Sequence, residues 1–213
     1  MSDQKIHTVY KLSNGTRVPS VTTYLSVLAK PALIHWAWNL GVQGLDYQKV
    51  RDQAGDIGTL VHYLILCKLK GEEPALSTYT PQDIELASVP MGKFEDWYGE
   101  HSVEPIIMEE PMVSEVYKFG GTMDFYGKVD NKLTLLDFKT SGAIYMENFF
   151  QLAAYRQLLF EYAYTIEDIK ILRVGKNEDE GFEVRAAGNL DKHWEIFLAC
   201  QKIYELQKEV RKS

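Results

Sequence analysis

Apolar and polar positions follow two different periods along this chain, and the change falls near residue 100. Before it, apolar residues recur every three or four positions, as between Ile57 and Leu69, which predicts amphipathic helices. After it, apolar and polar residues alternate in short runs, which predicts strands. The predicted C-terminal elements are strands at 111–118, 121–129 and 133–140, a helix at 147–162, strands at 168–174 and 181–186, and a helix from residue 190.

Residues with strong turn or capping preferences set the boundaries in the N-terminal half. We expect Ser20 to cap one helix, Pro31 to begin another, and Gly71 to end the helix at 57–69. Thr80 is expected to cap a further helix, which Pro90 would break. The predicted N-terminal elements are a hairpin at 8–18 and helices at 20–28, 31–38, 57–69, 81–89 and 94–98.

This order of elements predicts an α/β fold. We expect a central mixed β-sheet, made of an antiparallel meander plus further strands, with helices on both sides. No repeat or linker divides the 213 residues, so we expect a single domain over 1–213, with a mainly helical half at 1–100 and a sheet core and C-terminal helix at 105–213. A chain of this length, 46% hydrophobic and 25% charged, is able to bury a substantial core.

Two acidic residues stand at positions that one hairpin would bring together. Asp124 ends the run Gly120-Gly121-Thr122-Met123-Asp124, and Asp137 begins Asp137-Phe138-Lys139. Facing positions of an antiparallel hairpin share a constant sum, so a two-residue turn at Asp130-Asn131 places Asp124 across from Asp137. Because side chains alternate along a strand, Lys139 lies on the face of Asp137. The pattern predicts that two carboxylates and an ammonium converge on one face.

Facing carboxylates repel each other in a poorly solvated site unless a cation lies between them. Oxygen ligands favour hard ions such as Mg²⁺ or Mn²⁺, so Asp124 and Asp137 predict a divalent metal site. Lys139 would then lie beside a metal-bound water and offset charge on the phosphorus of a phosphodiester. The alternative is a solvated cluster of surface charges, which is the usual state of an isolated Asp-x-Lys.

At these residues the chain resembles the PD-(D/E)XK nuclease superfamily, and within it the RecB-like exonucleases of phage and bacterial type. Gly58-Thr59-Leu60-Val61-His62 resembles the upstream helix motif of the family, and Gln151-Leu152-Ala153-Ala154-Tyr155 resembles its Gln-x-x-x-Tyr helix. The resemblance covers about 58–155 and implies a restriction-endonuclease-like core. It also implies a catalytic Lys139, substrate contacts from Gln151 and Tyr155, and metal ligands from His62, Asp124, Asp137, the backbone carbonyl of Phe138 and Glu110, with Glu109 as the alternative to Glu110.

The chain departs from the family pattern at three points. Met123 replaces the proline before the first aspartate, and Asp137 stands where glutamate is common. Relatives with an iron–sulfur cluster carry four cysteines, whereas this chain has only Cys67 and Cys200, which form no Cys-x-x-Cys pair. We therefore expect no iron–sulfur cluster, and we expect both cysteines to pack in the core.

Some of these residues also have an ordinary structural interpretation. Taken alone, His62 on an apolar helix face is more often a core residue than a ligand. Gln151 and Tyr155, taken alone, indicate an amphipathic helix with a half-buried tyrosine. Together with Asp124, Asp137 and Lys139, His62 is expected to be a ligand, and the family resemblance implies that Gln151 and Tyr155 contact the substrate.

Net charge and hydropathy limit the possible functions. A net charge of −7 counts against a non-specific nucleic-acid coat protein but allows a nuclease with a small basic patch. The sequence shows no apolar run of membrane-spanning length, and we expect no secretory signal. Both observations predict a cytoplasmic protein without membrane contact. The candidate patch residues are Lys118, Lys128, Lys139 and Arg156.

The sequence therefore predicts a Mg²⁺- or Mn²⁺-dependent deoxyribonuclease, as an exonuclease acting on single- or double-stranded DNA, with a possible recombination or repair protein as partner. Two alternatives stay open. One is a catalytically silent DNA-binding subunit for recombination or repair with the same fold, and the other is an enzyme for a non-nucleic phosphodiester.

Overall fold

The computed structural model describes residues 8–212, and this part of the chain contains nine strands and six α-helices. The elements are, in order, β1 (Tyr10–Lys11), β2 (Arg17–Val18), α1 (Val21–Leu25), α2 (Pro31–Val42), α3 (Tyr47–Lys70), α4 (Pro81–Glu100), β3 (Val103–Ile107), β4 (Pro111–Ser114), β5 (Phe119–Thr122), β6 (Phe125–Val129), β7 (Lys132–Lys139), α5 (Met146–Glu161), β8 (Asp168–Val174), β9 (Phe182–Ala186) and α6 (Asp191–Val210).

Five strands form the central sheet in the order β3-β6-β7-β8-β9. The pair β7 and β8 is parallel, and the other neighbours are antiparallel. A parallel pair needs a crossover connection, which α5 supplies between β7 and β8. The predicted class, a central mixed sheet flanked by helices, is confirmed.

Helices cover both faces of this sheet. One core cluster joins α1, α5 and α6 to the face that carries Leu135, and the other joins α3 and α4 to the face that carries Leu136 and Phe138. Successive side chains of a strand point to opposite faces, so Asp137 lies on the α5 side while its neighbours pack under α3. The C-terminal end of β7 thus lies between two helical layers.

The hairpin of β6 and β7 has the predicted register. Val129 pairs with Lys132, and the pairing continues to Phe125 and Leu136. Asp130 and Asn131 form the turn, both in the left-handed backbone region at φ 51° and 64°, as a tight hairpin turn requires. This register carries Asp124 and Asp137 to the same end of the hairpin.

The first strands of the antiparallel part differ from the prediction. The predicted strand 121–129 is interrupted at Met123 and Asp124, and β5 pairs with β4 in a separate two-stranded ribbon. The neighbour of β6 is instead β3, which the sequence pattern did not predict. Pro105 and a register shift disturb the alternation along β3, which lies at the edge of the sheet, where proline is tolerated.

The helices also differ from the prediction at several boundaries. Pro90 does not break α4, since Ala87, Phe94 and Trp97 bury the helix on both sides of the proline and outweigh one missing backbone hydrogen bond. The helix α3 begins ten residues earlier than predicted, at Tyr47.

Other features of the helices agree with the prediction. Ser20 and Thr80 cap their helices as expected. Cys67 and Cys200 are buried, as predicted. Within residues 8–212, no helix combines the length and apolar character needed to cross a membrane.

Candidate active site

The central feature of the site is a buried carboxylate at the end of β7. The side chain of Asp137 is 1% exposed, and neither of its oxygens accepts a hydrogen bond of regular geometry. Its only close charged partner among residues 8–212 is the ammonium of Lys139, at 2.5 Å from Oδ2. Burial raises the pKa of Asp137 to about 6, Lys139 opposes this rise, and the charge of Asp124 adds to it. A nearby positive charge therefore stabilises the ionised form of Asp137, and Lys139 supplies one.

Lys139 is held as a cation at the same place. Burial lowers the pKa of Lys139, but the charges of Asp137 and Asp124 outweigh burial and raise it above the ordinary lysine value. A lysine with a raised pKa does not serve as a base at neutral pH. Its ammonium supplies hydrogen-bond donors and positive charge instead.

Asp124 lies at the break between β5 and β6. Its Oδ2 accepts a hydrogen bond from the backbone N–H of Phe138 at 2.7 Å, and its Oδ1 lies 3.8 Å from Nδ1 of His62. The interrupted strand thus frees the Asp124 side chain to bind the opposite strand of the hairpin. Asp124 and His62 are both partly exposed, in contrast to Asp137.

The helix α3 brings His62 to the site from the other side of the sheet. The ring of His62 lies edge-on to Phe138, with ring centroids 6.3 Å apart. One turn earlier, a Cβ on Gly58 would lie 2.8 Å from Oγ1 of Thr140. Gly58 therefore allows α3 to lie close against the end of β7, where Lys139 is located.

Gln151 and Tyr155 lie on α5 and contact each other. Nε2 of Gln151 donates to the hydroxyl of Tyr155 at 2.8 Å. Tyr155 is 4% exposed, and burial, followed by the charges of Asp137 and Asp124, raises its pKa well above the usual value. Its ring packs on Gly121, where a Cβ would lie 2.7 Å from the ring. Tyr155 therefore lies behind the carboxylates, and the partly exposed Gln151 faces outward.

Of the two adjacent glutamates, Glu109 has the closer relation to the site. Glu109 has a left-handed backbone at φ 47°, and its N–H donates to the carbonyl of Met123 at 3.1 Å. Burial raises the pKa of Glu109, with a further rise from Asp124 and an opposing effect of His62. Both glutamates are exposed, but only Glu109 lines the cleft that contains His62. The structure thus favours Glu109 as the additional acidic residue.

Two clefts meet at the first part of α3, and Ala54 and Gly55 line both of them. The histidine cleft, lined by His62, Glu109 and Thr140, has a volume of about 610 Å³. The lysine cleft has a volume of about 790 Å³, and its lining includes Lys30, Arg51, Lys139, Gln151 and Lys176. His62 and Lys139 are therefore reachable from the protein surface.

The predicted metal ligands are neighbours but do not form a closed cage. Within the part of the chain that the structure describes, no three His, Cys, Asp or Glu side chains are grouped closely enough to enclose a metal ion. In this conformation the Lys139 ammonium supplies the positive charge beside Asp137. The two carboxylates are nevertheless the donor type that Mg²⁺ or Mn²⁺ prefers, and Asp124 lies near enough to the buried Asp137 to raise its pKa.

The cations of the lysine cleft were mostly missed by the sequence analysis. Of the predicted patch residues, only Lys139 lines this cleft, whereas Lys118, Lys128 and Arg156 form ion pairs elsewhere, with Glu115, Glu104 and Asp191. Lys30, Arg51 and Lys176 come from three distant segments. No local motif marks them, so the tertiary fold alone brings them together.

No protein-family model matches this chain, and a search of curated proteins finds no match. Similar solved structures include a protein of Eubacterium rectale provisionally assigned as an exonuclease, with 11% identity and a TM-score of 0.47. That alignment covers 72% of this chain and 65% of the other, so this chain spans less than two thirds of that protein.

An alkaline exonuclease of Laribacter hongkongensis, LHK-Exo, is similar at 14% identity and a TM-score of 0.34, over 75% of this chain and 91% of the other. A structure of LHK-Exo in complex with dAMP matches to the same extent.

Proposed function

We propose that this protein is a metal-dependent deoxyribonuclease that acts as an exonuclease. The observation that carries the proposal is the buried carboxylate of Asp137, paired with Lys139 at 2.5 Å and located near Asp124 and His62, while Lys139 and His62 each line a cleft. Even when paired with Lys139, a carboxylate buried this deeply costs more in desolvation than well-packed apolar side chains would, so a role in stability does not explain it. A function in binding and catalysis does.

Asp124, Asp137, His62 and the backbone carbonyl of Phe138 would hold Mg²⁺ or Mn²⁺, with Glu109 or Glu110 as a further acidic ligand. When bound, such an ion lowers the pKa of water and stabilises negative charge on a phosphoryl oxygen. The oxygen of water would form the bond to phosphorus as the bond from phosphorus to the leaving oxygen breaks, with the water proton passing to solvent and the leaving oxygen taking a proton from solvent.

The remaining residues would orient and stabilise the reacting groups. Lys139 stays an ammonium and donates to a non-bridging phosphate oxygen, where negative charge develops. The hydrogen bond from Gln151 to Tyr155 fixes the rotamer of Gln151, whose amide then positions the DNA backbone at the cleft. Tyr155 acts as the buried support for this contact.

A catalytically silent DNA-binding subunit for recombination or repair is the second candidate. The observation that favours it is the ion pair between Lys139 and Asp137, which neutralises the buried carboxylate without any metal. Against it, a binding role gives no reason to bury a carboxylate whose one close polar partner among residues 8–212 is the ammonium of Lys139. In both cases we propose DNA as the partner, a cytoplasmic location, one domain over 1–213, and a recombination or repair protein as a possible second partner.

The experiment that tests the proposal is digestion of end-labelled DNA, single- and double-stranded, linear and circular, with Mg²⁺, Mn²⁺ or EDTA. We expect metal-dependent cleavage of linear DNA and a loss of about 100-fold or more in Lys139→Ala. Lys192→Ala is the matched control, because Lys192 is exposed on α6 and pairs only with Glu195 among the described residues. Absence of cleavage by folded protein with either metal would refute the nuclease and favour the silent subunit.

A further inference from the structure

The lysine cleft combines positive charge with an apolar wall. Its basic lining residues are Lys30, Arg51, Lys139 and Lys176, and its one acidic lining residue is Glu147, which lies 3.8 Å from Lys30. The wall that α2 and the segment before it contribute is largely apolar, with Leu28, Pro31, Leu33 and Trp36. In a chain of net charge −7, this concentration of cations in one cleft indicates an anionic ligand.

Lys176 lies in a turn that several hydrogen bonds restrain. Its N–H donates to Oε2 of Glu180 at 2.7 Å. On either side of it, the ammonium of Lys93 donates to the carbonyls of Gly175 at 3.3 Å and Asn177 at 2.5 Å. The turn between β8 and β9 is therefore fixed from within the fold, and it holds Lys176 at the cleft.

The ammonium of Lys176 lacks a close counter-ion. It is half-buried, and it forms no ion pair with any carboxylate of residues 8–212. Burial lowers its pKa, and the charge of Glu180 opposes this only in part. By contrast, Lys30, Arg51 and Lys139 each have a carboxylate within 4 Å. Lys176 is thus the cleft cation most available to a phosphate.

We propose that the lysine cleft is a channel for single-stranded DNA, in which Lys176 and Arg51 bind backbone phosphates and unpaired bases lie against the wall of Leu33 and Trp36. This inference rests on the proposed function, since it assigns the form of DNA that reaches Lys139. Cationic grooves with aromatic side chains are the usual sites for unpaired strands.

The dimensions of the cleft favour one strand over two. A volume of about 790 Å³ lies in the range of pockets for single small ligands, which suits a few nucleotides of one strand. Lys139 lines this cleft, and the carboxylate of Asp137 beside it is almost fully buried. A phosphodiester must therefore enter the cleft to reach them, and a duplex would first have to separate at its end.

The test is fluorescence anisotropy with a labelled 12-nucleotide single strand and a blunt duplex of the same sequence, in EDTA so that no cleavage occurs. We expect at least 5-fold tighter binding of the single strand. We expect Lys176→Gln to weaken that binding about 3- to 10-fold and to reduce the slope of log K against log salt by about 0.7. Lys192→Gln, a substitution of an exposed lysine on α6, should leave both unchanged.

The channel proposal would be refuted if the duplex bound as tightly as the single strand. It would also be refuted if Lys176→Gln and Lys192→Gln had the same affinity for the single strand and the same salt dependence. The digestion assay separates this failure from that of the proposed function. If the protein cleaves DNA but shows no preference for a single strand that depends on Lys176, the proposed nuclease function stands and the channel is refuted. If single-stranded DNA binds in a way that depends on Lys176 but is not cleaved at any metal concentration, the channel stands and the proposed nuclease function is refuted.

Discussion

Replacement of Asp137 by asparagine should stabilise the metal-free protein at neutral pH. The folded protein holds this carboxyl at a pKa of about 6, compared with an ordinary value of 3.8, because burial disfavours its ionised form. Asparagine has nearly the shape of the protonated carboxyl and carries no charge. Asp137→Asn therefore removes the unfavourable ionisation while it keeps the packing of β7, and the charge of Asp124 still stabilises the Lys139 ammonium.

The expected size of this effect follows from the two pKa values. Between pH 3.8 and about 6 the folded state keeps the proton that the unfolded state releases, so the free energy of unfolding of the wild-type protein falls as pH rises. At 1.36 kcal/mol for each pH unit, the loss amounts to about 3 kcal/mol and is complete above pH 6. Asp137→Asn lacks this loss, so the two proteins should differ little at pH 4 and by up to about 3 kcal/mol at pH 8.

The assay is urea unfolding of both proteins in EDTA at several pH values from 4 to 8. Mg²⁺ should then reverse the order, because an ion that binds only the folded wild-type protein stabilises it by mass action. The reasoning would be refuted if Asp137→Asn were the less stable protein at pH 8 in EDTA. If Mg²⁺ raised the free energy of unfolding of both proteins equally, Asp137 would not be a metal ligand.

Three further substitutions test separate parts of the structure. Gly121→Ala should lower stability by about 1–3 kcal/mol in urea unfolding, since a Cβ would lie 2.7 Å from the Tyr155 ring, and an unchanged midpoint would contradict this packing. Asn131→Ala should lower the free energy of unfolding by about 1–2 kcal/mol, because alanine tolerates the left-handed backbone of this turn less well than asparagine does. The control Asn131→Gly should not lower it, since glycine adopts this backbone readily. In the digestion assay, Glu109→Gln should reduce cleavage about 10-fold or more and Glu110→Gln should not, and the reverse order would make Glu110 the functional residue.

The hairpin at the site could be predicted because its determinants are local. The turn needs two residues that tolerate a left-handed backbone, and Asp130-Asn131 supplies them. Once the turn is placed, strand periodicity defines every pairing from Val129 and Lys132 onward. Asp124, Asp137 and Lys139 then follow from counting along two strands.

Elements whose stability comes from distant contacts could not be predicted in the same way. The edge strand β3 contains Pro105, a residue that local preference places outside strands, and it forms by pairing with β6. Pro90 stays inside α4 because the helix is buried against α3 and the sheet. An uninterrupted strand would place Met123 on the same face as Phe125, but the break before β6 places it in the opposite core cluster.

The electrostatics of the site show why net charge was a weak guide to its ligand. Lys139 lines the lysine cleft, and its neighbour Thr140 lines the histidine cleft, which differs in charge: Glu109 and His62 line the histidine cleft, and Lys30, Arg51 and Lys176 line the lysine cleft. Exposed charges more than about 8–10 Å apart are largely screened at physiological salt, so acidic residues elsewhere on the surface scarcely affect a strand inside the lysine cleft. A phosphodiester at Lys139 would thus have anionic ligands for a metal on one side and cations for its neighbouring phosphates on the other. This division needs α3, β7 and the β8–β9 turn in their tertiary positions, because no segment of the sequence contains both sides.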